Sequence, residues 1–263
     1  MLGELISAAR TRAELLRSSK GDLARRAAES AAPPSMLSAL RRDDVAVIAE
    51  IKRASPSMGS ISAALDVAVQ ATAYARGGAA AISVLTEPSL FSGSLADLET
   101  ASGAVGIPLL RKDFIVSEEQ VLEARIAGAS AVLLIARALS RERLLELAAF
   151  SRATGVEPLV EVRTSGELAV ALSAGAMLVG INARNLETLE IDDRVVSRLA
   201  PLVPRDCVCI AESGLQSRSD VEAVAANGVD AVLIGSALSA AADPASAVRE
   251  LIGVERRPRA ARD

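Results

Sequence analysis

Eight short apolar runs recur along the chain, and their spacing limits the possible folds more than any other feature. They read VAVIAEI (45–51), AAISVLT (80–86), IPLLRKD (107–113), SAVLLIA (130–136), EPLVEVR (157–163), AMLVGIN (176–182), CVCIAES (207–213) and DAVLIGS (230–236). Each is too short for a helix and almost continuously apolar, as parallel strands buried on both faces must be. Segments of helical period separate them, among them SEEQVLEARIAG, SRERLLELAAFSRATG and SRSDVEAVAANG. Glycine stands just ahead of the next run in ARGGA (75–79), IAGAS (126–130), LSAGA (172–176) and AANGV (225–229). There it supplies the left-handed residue that closes a helix and turns the chain into a strand.

The unit of strand plus helix repeats roughly every 20–35 residues, a period also found in solenoids. The units share no side-chain signature beyond the glycine, so a solenoid does not follow. Eight units in about 250 residues fit an α/β fold, the (β/α)8 TIM barrel. An open doubly wound sheet is the competitor, but its Gly-rich dinucleotide turn is missing, since Ile51 is followed by Lys-Arg-Ala-Ser-Pro. The barrel is therefore assigned to residues 45–254. Ahead of it, Leu2, Leu5, Ile6, Ala9, Ala13 and Leu16 recur at helical spacing, an Ala-rich stretch stops at Pro33-Pro34, and Met36 to Leu40 forms one more turn. Residues 1–44 thus read as an N-terminal helical extension packed on the barrel. The tail ERRPRAARD (255–263) is charged and aperiodic and is expected to be disordered.

Composition removes several function classes. There is no histidine, which excludes Ser-His-Asp triads, Cys-His pairs and nearly every catalytic zinc site. Proton chemistry near pH 7 must then come from Lys, Glu or Asp with shifted pKa values. A net charge of −4 and only 2% aromatic residues argue against a nucleic-acid partner. No apolar stretch approaches the roughly 18–20 residues of a membrane helix. The first residues carry Glu4 and Glu14 and no continuous apolar region, so a targeting peptide is the poorer reading. Cys207 and Cys209, one residue apart on a strand, point the same way at about 7 Å, at or beyond disulfide reach. They read as reduced core residues of a cytoplasmic protein.

Active sites of such barrels lie at the C-terminal ends of the strands. The runs end in Glu50 and Lys52, Lys112 and Asp113, Glu161, Asn182 and Arg184, and Glu212 and Ser213. Parity puts Glu50 and Lys52 on one face with Ile48, and Glu212 with Val208 and Ile210, sending Cys207 and Cys209 outward. A single charge there is ordinarily a solvated strand end. Five of eight runs ending this way is harder to dismiss, because burying such groups costs several kcal/mol unless they pair with one another or a ligand. Ser213-Gly214 and Gly235-Ser236 close the last two runs ahead of helical stretches, an arrangement suited to a phosphate. The loop KRASPSMGS (52–60) suits a lid that closes on an anion through Lys52, Arg53 and Ser55. Phe91 and Phe114 follow the second and third runs and suit an apolar wall for a flat ring.

IAEIKRASPS (48–57), FSGSL (91–95), LLRKDFIV (109–116), LVEV (159–162), GINARNLETLEID (180–192), AESG (211–214) and LIGSAL (233–238) resemble the motifs of indole-3-glycerol phosphate synthases. The resemblance runs in order from about residue 1 to 252. It implies a (β/α)8 fold with an N-terminal segment near the active-site face. It also implies conversion of 1-(2-carboxyphenylamino)-1-deoxyribulose 5-phosphate to indole-3-glycerol phosphate, CO₂ and water in tryptophan biosynthesis, without metal or organic cofactor. Residue by residue it makes Lys112 the general acid, Glu161 the general base and Lys52 a second lysine for anion binding and dehydration. Glu50 and Glu212 would orient the lysines, and Asn182, Arg184 and Ser55 would bind substrate. Phe91 and Phe114 would flank the ring, and Ser213, Gly214, Gly235 and Ser236 would take the phosphate. The sequence departs from the family at Met58, where a basic residue is frequent, at Arg163, where histidine often follows LVEV, and at Ala183. Two alternatives stay open: a sugar-phosphate aldolase or isomerase with a Schiff-base lysine, and a non-catalytic relative that binds the phosphorylated ligand. Glu50 beside Lys52 speaks against the first. A monomer or weak homodimer is expected, with neither nucleic acid nor membrane as partner.

Overall fold

A computed structural model of the protein describes residues 1–56, 59–60 and 65–259. The eight runs form strands β1 (Ala46–Ile51), β2 (Ala81–Leu85), β3 (Leu109–Lys112), β4 (Ala131–Ile135), β5 (Glu157–Val162), β6 (Leu178–Asn182), β7 (Val208–Glu212) and β8 (Ala231–Ile234). All pair in parallel with their sequence neighbours, and β1 joins both β2 and β8 to close the barrel. Two-residue periodicity then sorts the side chains. Ile48, Leu110, Leu133, Leu159, Leu178, Ile210 and Leu233 fill the interior. Val47, Ile82, Val84, Leu134, Val160, Val179 and Val232 pack outward with the helices. Cys207 and Cys209 sit in that outer layer as free, buried thiols, on the face that parity predicts. Gly78, Gly128, Gly175 and Gly228 take φ between 71° and 98°, so the predicted helix-to-strand turns are left-handed.

The extension consists of α1 (Leu2–Leu16), α2 (Lys20–Glu29) and α3 (Met36–Leu40), joined by a short 3₁₀ turn and a Pro-containing linker. It grips both ends of the barrel. Leu2, Leu5 and Ala9 of α1 share a core with Phe91, Phe114 and Leu186 beyond the strands' C-terminal ends. Met36 and Leu40 of α3 are fully buried at the opposite end. There the Glu157 carboxylate, on the first residue of β5, accepts from the Ser35 hydroxyl at 2.7 Å and the Leu37 N–H at 2.6 Å. The Arg41 guanidinium likewise donates to the Asp206 carbonyl at 2.7 Å, just ahead of β7. A location near the active-site face therefore holds for α1 and not for α3.

The disordered tail expected from 255 onward does not hold for residues 255–259. Val45 N–H donates to the Val254 carbonyl at 2.8 Å, and Glu255 bridges to Asp44. Arg259 is buried, with its guanidinium on the Asp230 carboxylate at 2.6 Å and on the carbonyls of Gly228, Pro204 and Cys207. Those partners lie far away in sequence, so composition gives no sign of them. Residues 260–263 lie outside the described residues. Among the described residues no helix is long and apolar enough to cross a membrane.

Candidate active site

At the C-terminal rim the strand ends bring two ammonium groups and three carboxylates together. Lys112 Nζ lies 2.6 Å from Glu212 Oε2 and 3.8 Å from Glu50 Oε2, while Lys52 Nζ lies 3.0 Å from Glu50 Oε1. Glu50 is thus shared between the lysines. Burial works to lower the Lys112 pKa, but the carboxylates of Glu212, Glu50 and Glu161 outweigh it, and the ammonium is held charged above its ordinary range. Burial raises the Glu50 pKa, and Lys52 and Lys112 bring it below its ordinary value. Glu161 behaves in the opposite way. Burial and the nearby Glu212 charge push its pKa up to about 7, against the weaker pull of Lys112 and an Asn182 hydrogen bond. A carboxylate that titrates near neutrality can exchange a proton at working pH.

Two glycines make room for this cluster. A Cβ at Gly180 on β6 would collide with Glu212 Oε1, and one at Gly235 would collide with Glu50 Oε1. Glu212 Oε1 is buried and, among the described residues, has no hydrogen-bond partner. An isolated glycine inside an apolar strand run is a known sign of close approach. Gly180 is therefore a site residue that the sequence did signal, and one that the motif reading passed over.

Two hollows meet at the cluster and share Glu50 and Arg184. One, of about 120 Å³, is walled by Phe91, Phe114, Leu133, Ile135 and Leu186, with Lys112, Glu161 and Asn182 on its floor. The other, of about 270 Å³, is lined by Lys52, Ser213, Gly214, Gly235 and Ser236. Asn182 Oδ1 accepts from the Arg184 backbone N–H at 2.9 Å, and the Arg184 guanidinium donates to the Leu189 carbonyl at 2.9 Å. These contacts tie the arginine to its own loop between the two hollows.

The anion-binding expectation needs one correction. Gly235 leads directly into the short helix Ser236–Ser239. After β7, in contrast, the helix Arg218–Ala225 starts later, and a capping box closes its entry, the Ser217 hydroxyl accepting from the Asp220 N–H and the Asp220 carboxylate from the Ser217 and Gln216 N–H groups. What faces the hollow there is the turn itself, with Ser213 at φ 69° and Gly214 at φ 80°. A non-glycine residue in that region carries about 1–2 kcal/mol of strain, which tends to be stored at functional sites.

Ser55 is buried in a two-residue strand, opposite Gly59, and is not among the described residues lining either hollow. Arg53 turns away, pairing with Asp97 at 2.9 Å. The rest of the lid expectation falls on Ser57 and Met58, outside the described residues. Ala183 is buried and continues the backbone ladder to Glu212, and the Arg163 N–H donates to Glu167 at 2.7 Å. Two buried carboxylates that also border the apolar hollow, Glu87 and Asp113, are bridged by Arg12 of α1. In sequence Arg12 resembles any solvated position of an amphipathic helix.

Fold and rim chemistry define the class: a (β/α)8 barrel with an acid–base cluster between an apolar wall and an anion-suited turn. The family model described as indole-3-glycerol phosphate synthase matches residues 4–251, and the chain belongs to that family. Relatives carrying that name are 49% identical in Mycolicibacterium gilvum (strain PYR-GCK), over 86% of this chain and 84% of the relative. They are 50% identical in Parafrankia sp. (strain EAN1pec), over 84% and 82%. A protein named indole-3-glycerol phosphate synthase 1 from Streptomyces coelicolor is 46% identical, over 92% and 90%. A solved structure of thiamine phosphate pyrophosphorylase from Pyrococcus furiosus shares the fold, with TM-score 0.60 and 18% identity over 81% of this chain and 95% of that one.

Proposed function

We propose that the protein closes the indole ring of 1-(2-carboxyphenylamino)-1-deoxyribulose 5-phosphate and releases CO₂ and water as a cytoplasmic step of tryptophan biosynthesis. The observation that carries this is Lys112, held cationic by Glu212 and Glu50, across from a Glu161 that titrates near 7. The two sit where an apolar hollow meets a polar one. The substrate has the matching halves, an aromatic ring with a carboxylate and a flexible sugar phosphate.

In this reading the ring enters between Phe91 and Phe114, and the phosphate takes the backbone of Ser213, Gly214, Gly235 and Ser236. The ring carbon bearing the carboxylate attacks the C2′ carbonyl, whose oxygen Lys112 polarises and protonates. Attack breaks aromaticity, and departure of CO₂ restores electrons to the ring. Glu161 then takes a proton as the C2′ hydroxyl leaves as water, with Lys52 assisting. Asn182 and Arg184 hold the chain folded over the ring, and Ser55 is assigned to the substrate carboxylate. Orientation of this kind contributes roughly 7–11 kcal/mol in favourable cases. The same contacts speak against a Schiff-base mechanism, because an ammonium paired to a carboxylate at 2.6 Å is a poor nucleophile. The buried free thiols fit a reducing compartment.

The test is ultraviolet detection of the indole chromophore from the carboxyphenylamino substrate, with no metal added, for wild type and Glu161→Gln. Formation by the wild type alone supports the reading. Binding without turnover by the wild type replaces it with a non-catalytic role.

A further inference from the structure

We infer that Arg12 of the N-terminal extension is a positioning residue for the aromatic wall, tying together the two buried carboxylates that hold Phe91 and Phe114. The inference rests on the ring-binding part of the function proposed above. Glu87 and Asp113 follow β2 and β3, and both side chains are essentially inaccessible to water. Each holds one phenylalanine by its backbone. Glu87 accepts from the amides of Ser89, Leu90 and Phe91, capping the short helix Pro88–Phe91 that carries the first ring. Asp113 Oδ1 accepts from the Phe114 amide at 2.8 Å.

Arg12 spans the pair, with Nη2 at 2.7 Å from Asp113 Oδ1 and Nη1 at 3.6 Å from Glu87 Oε1. Asp113 has a second cation in Arg111, at 3.3 Å. Glu87 has, among the described residues, Arg12 as its ion-pair partner. Loss of the guanidinium leaves the buried Glu87 carboxylate with its amide and Ser89 hydroxyl hydrogen bonds but, among the described residues, no ion-pair partner, a state that relaxes by moving the carboxylate and the ring it caps. Asp113, still paired with Arg111, keeps Phe114 in place. Leu2, Leu5 and Ala9 anchor α1 through apolar contacts that do not involve Arg12, so the extension itself stays docked. Arg12 thereby links a segment outside the barrel to the width of the ring slot, while the phosphate turns on β7 and β8 lie beyond its reach.

The experiment measures two ligands on the full-length protein: 2-aminobenzoate, followed by its own fluorescence, and inorganic phosphate. Arg12→Gln is expected to weaken 2-aminobenzoate about tenfold and to leave phosphate affinity unchanged. Arg12→Lys, which keeps a cation without the fork, should recover part of the loss. Unchanged 2-aminobenzoate affinity in Arg12→Gln, equal weakening of both ligands, or a wild type that does not bind 2-aminobenzoate would overturn the inference. A wild type that binds 2-aminobenzoate yet forms no indole ends the proposed activity and leaves this test intact.

Discussion

The two ends of the barrel both bury charge, and they do so under opposite rules. Beneath the strands, Asp230 meets Arg259 at 2.6 Å and Arg256 at 2.9 Å, so the buried carboxylate is met by more than one cation. The remaining Arg259 donors go to main-chain carbonyls. At the upper rim Glu50, Glu161 and Glu212 crowd around Lys52 and Lys112. There three carboxylates crowd two ammonium groups, among the described residues one oxygen of Glu212 has no hydrogen-bond partner, and Glu161 is driven toward neutrality. The lower end is arranged for stability. The upper end keeps an electrostatic conflict that substrate and proton transfer can relieve, as sites that depart from local consistency commonly do.

The contrast breaks most sharply at Lys112. Lys112→Ala should reduce indole formation by about 10²–10⁴-fold in the ultraviolet assay, the range for loss of an acid–base group. Arg259→Ala should do the reverse, lowering stability by about 3–5 kcal/mol in urea unfolding while kcat holds, because it leaves Asp230 short of a buried partner. A loss of turnover in that variant without a loss of stability would dissolve the distinction between the ends.

A subtler difference lies in pH dependence. Because the Glu161 pKa is raised on folding, the native state binds its proton more tightly than the unfolded state does. Its contribution to stability is fully present below the ordinary carboxylate range and is lost as pH rises through about 7. Glu161→Gln should therefore be about 3 kcal/mol more stable than wild type at pH 8, with the gap closing toward pH 4, and it should be inactive. The acid limb of kcat/KM in the wild type should lie near pH 7. Glu212→Gln removes a negative neighbour and should move that limb down by about one pH unit, the smallest of these effects.

The barrel was legible because parallel strands covered on both faces leave almost unbroken apolar runs, and because strand parity assigned Glu50, Glu212 and the two cysteines to their faces. The turns after β7 and β8, proposed above for the phosphate, were legible as turns but not in form, since the capping by Ser217 and Asp220 depends on where the helix begins. Arg12, Glu87 and Arg259 were not legible. Each takes its meaning from a partner remote in sequence, and a charge on an amphipathic helix or in a polar tail looks solvated until that partner is known. Gly180 lay between these cases, marked by its setting yet unreadable without Glu212 beside it.

The way residues 1–44 clasp both mouths of the barrel has a consequence for synthesis. This segment leaves the ribosome ahead of the barrel, yet the surfaces it holds are made later, Asp113 for Arg12 and Asp206 for Arg41. Its apolar stripe has no barrel surface to pack on until the strands that carry those partners have emerged. The segment is therefore sheltered in stages, α1 once residues near Asp113 have been made and the α3 end once those near Asp206 follow.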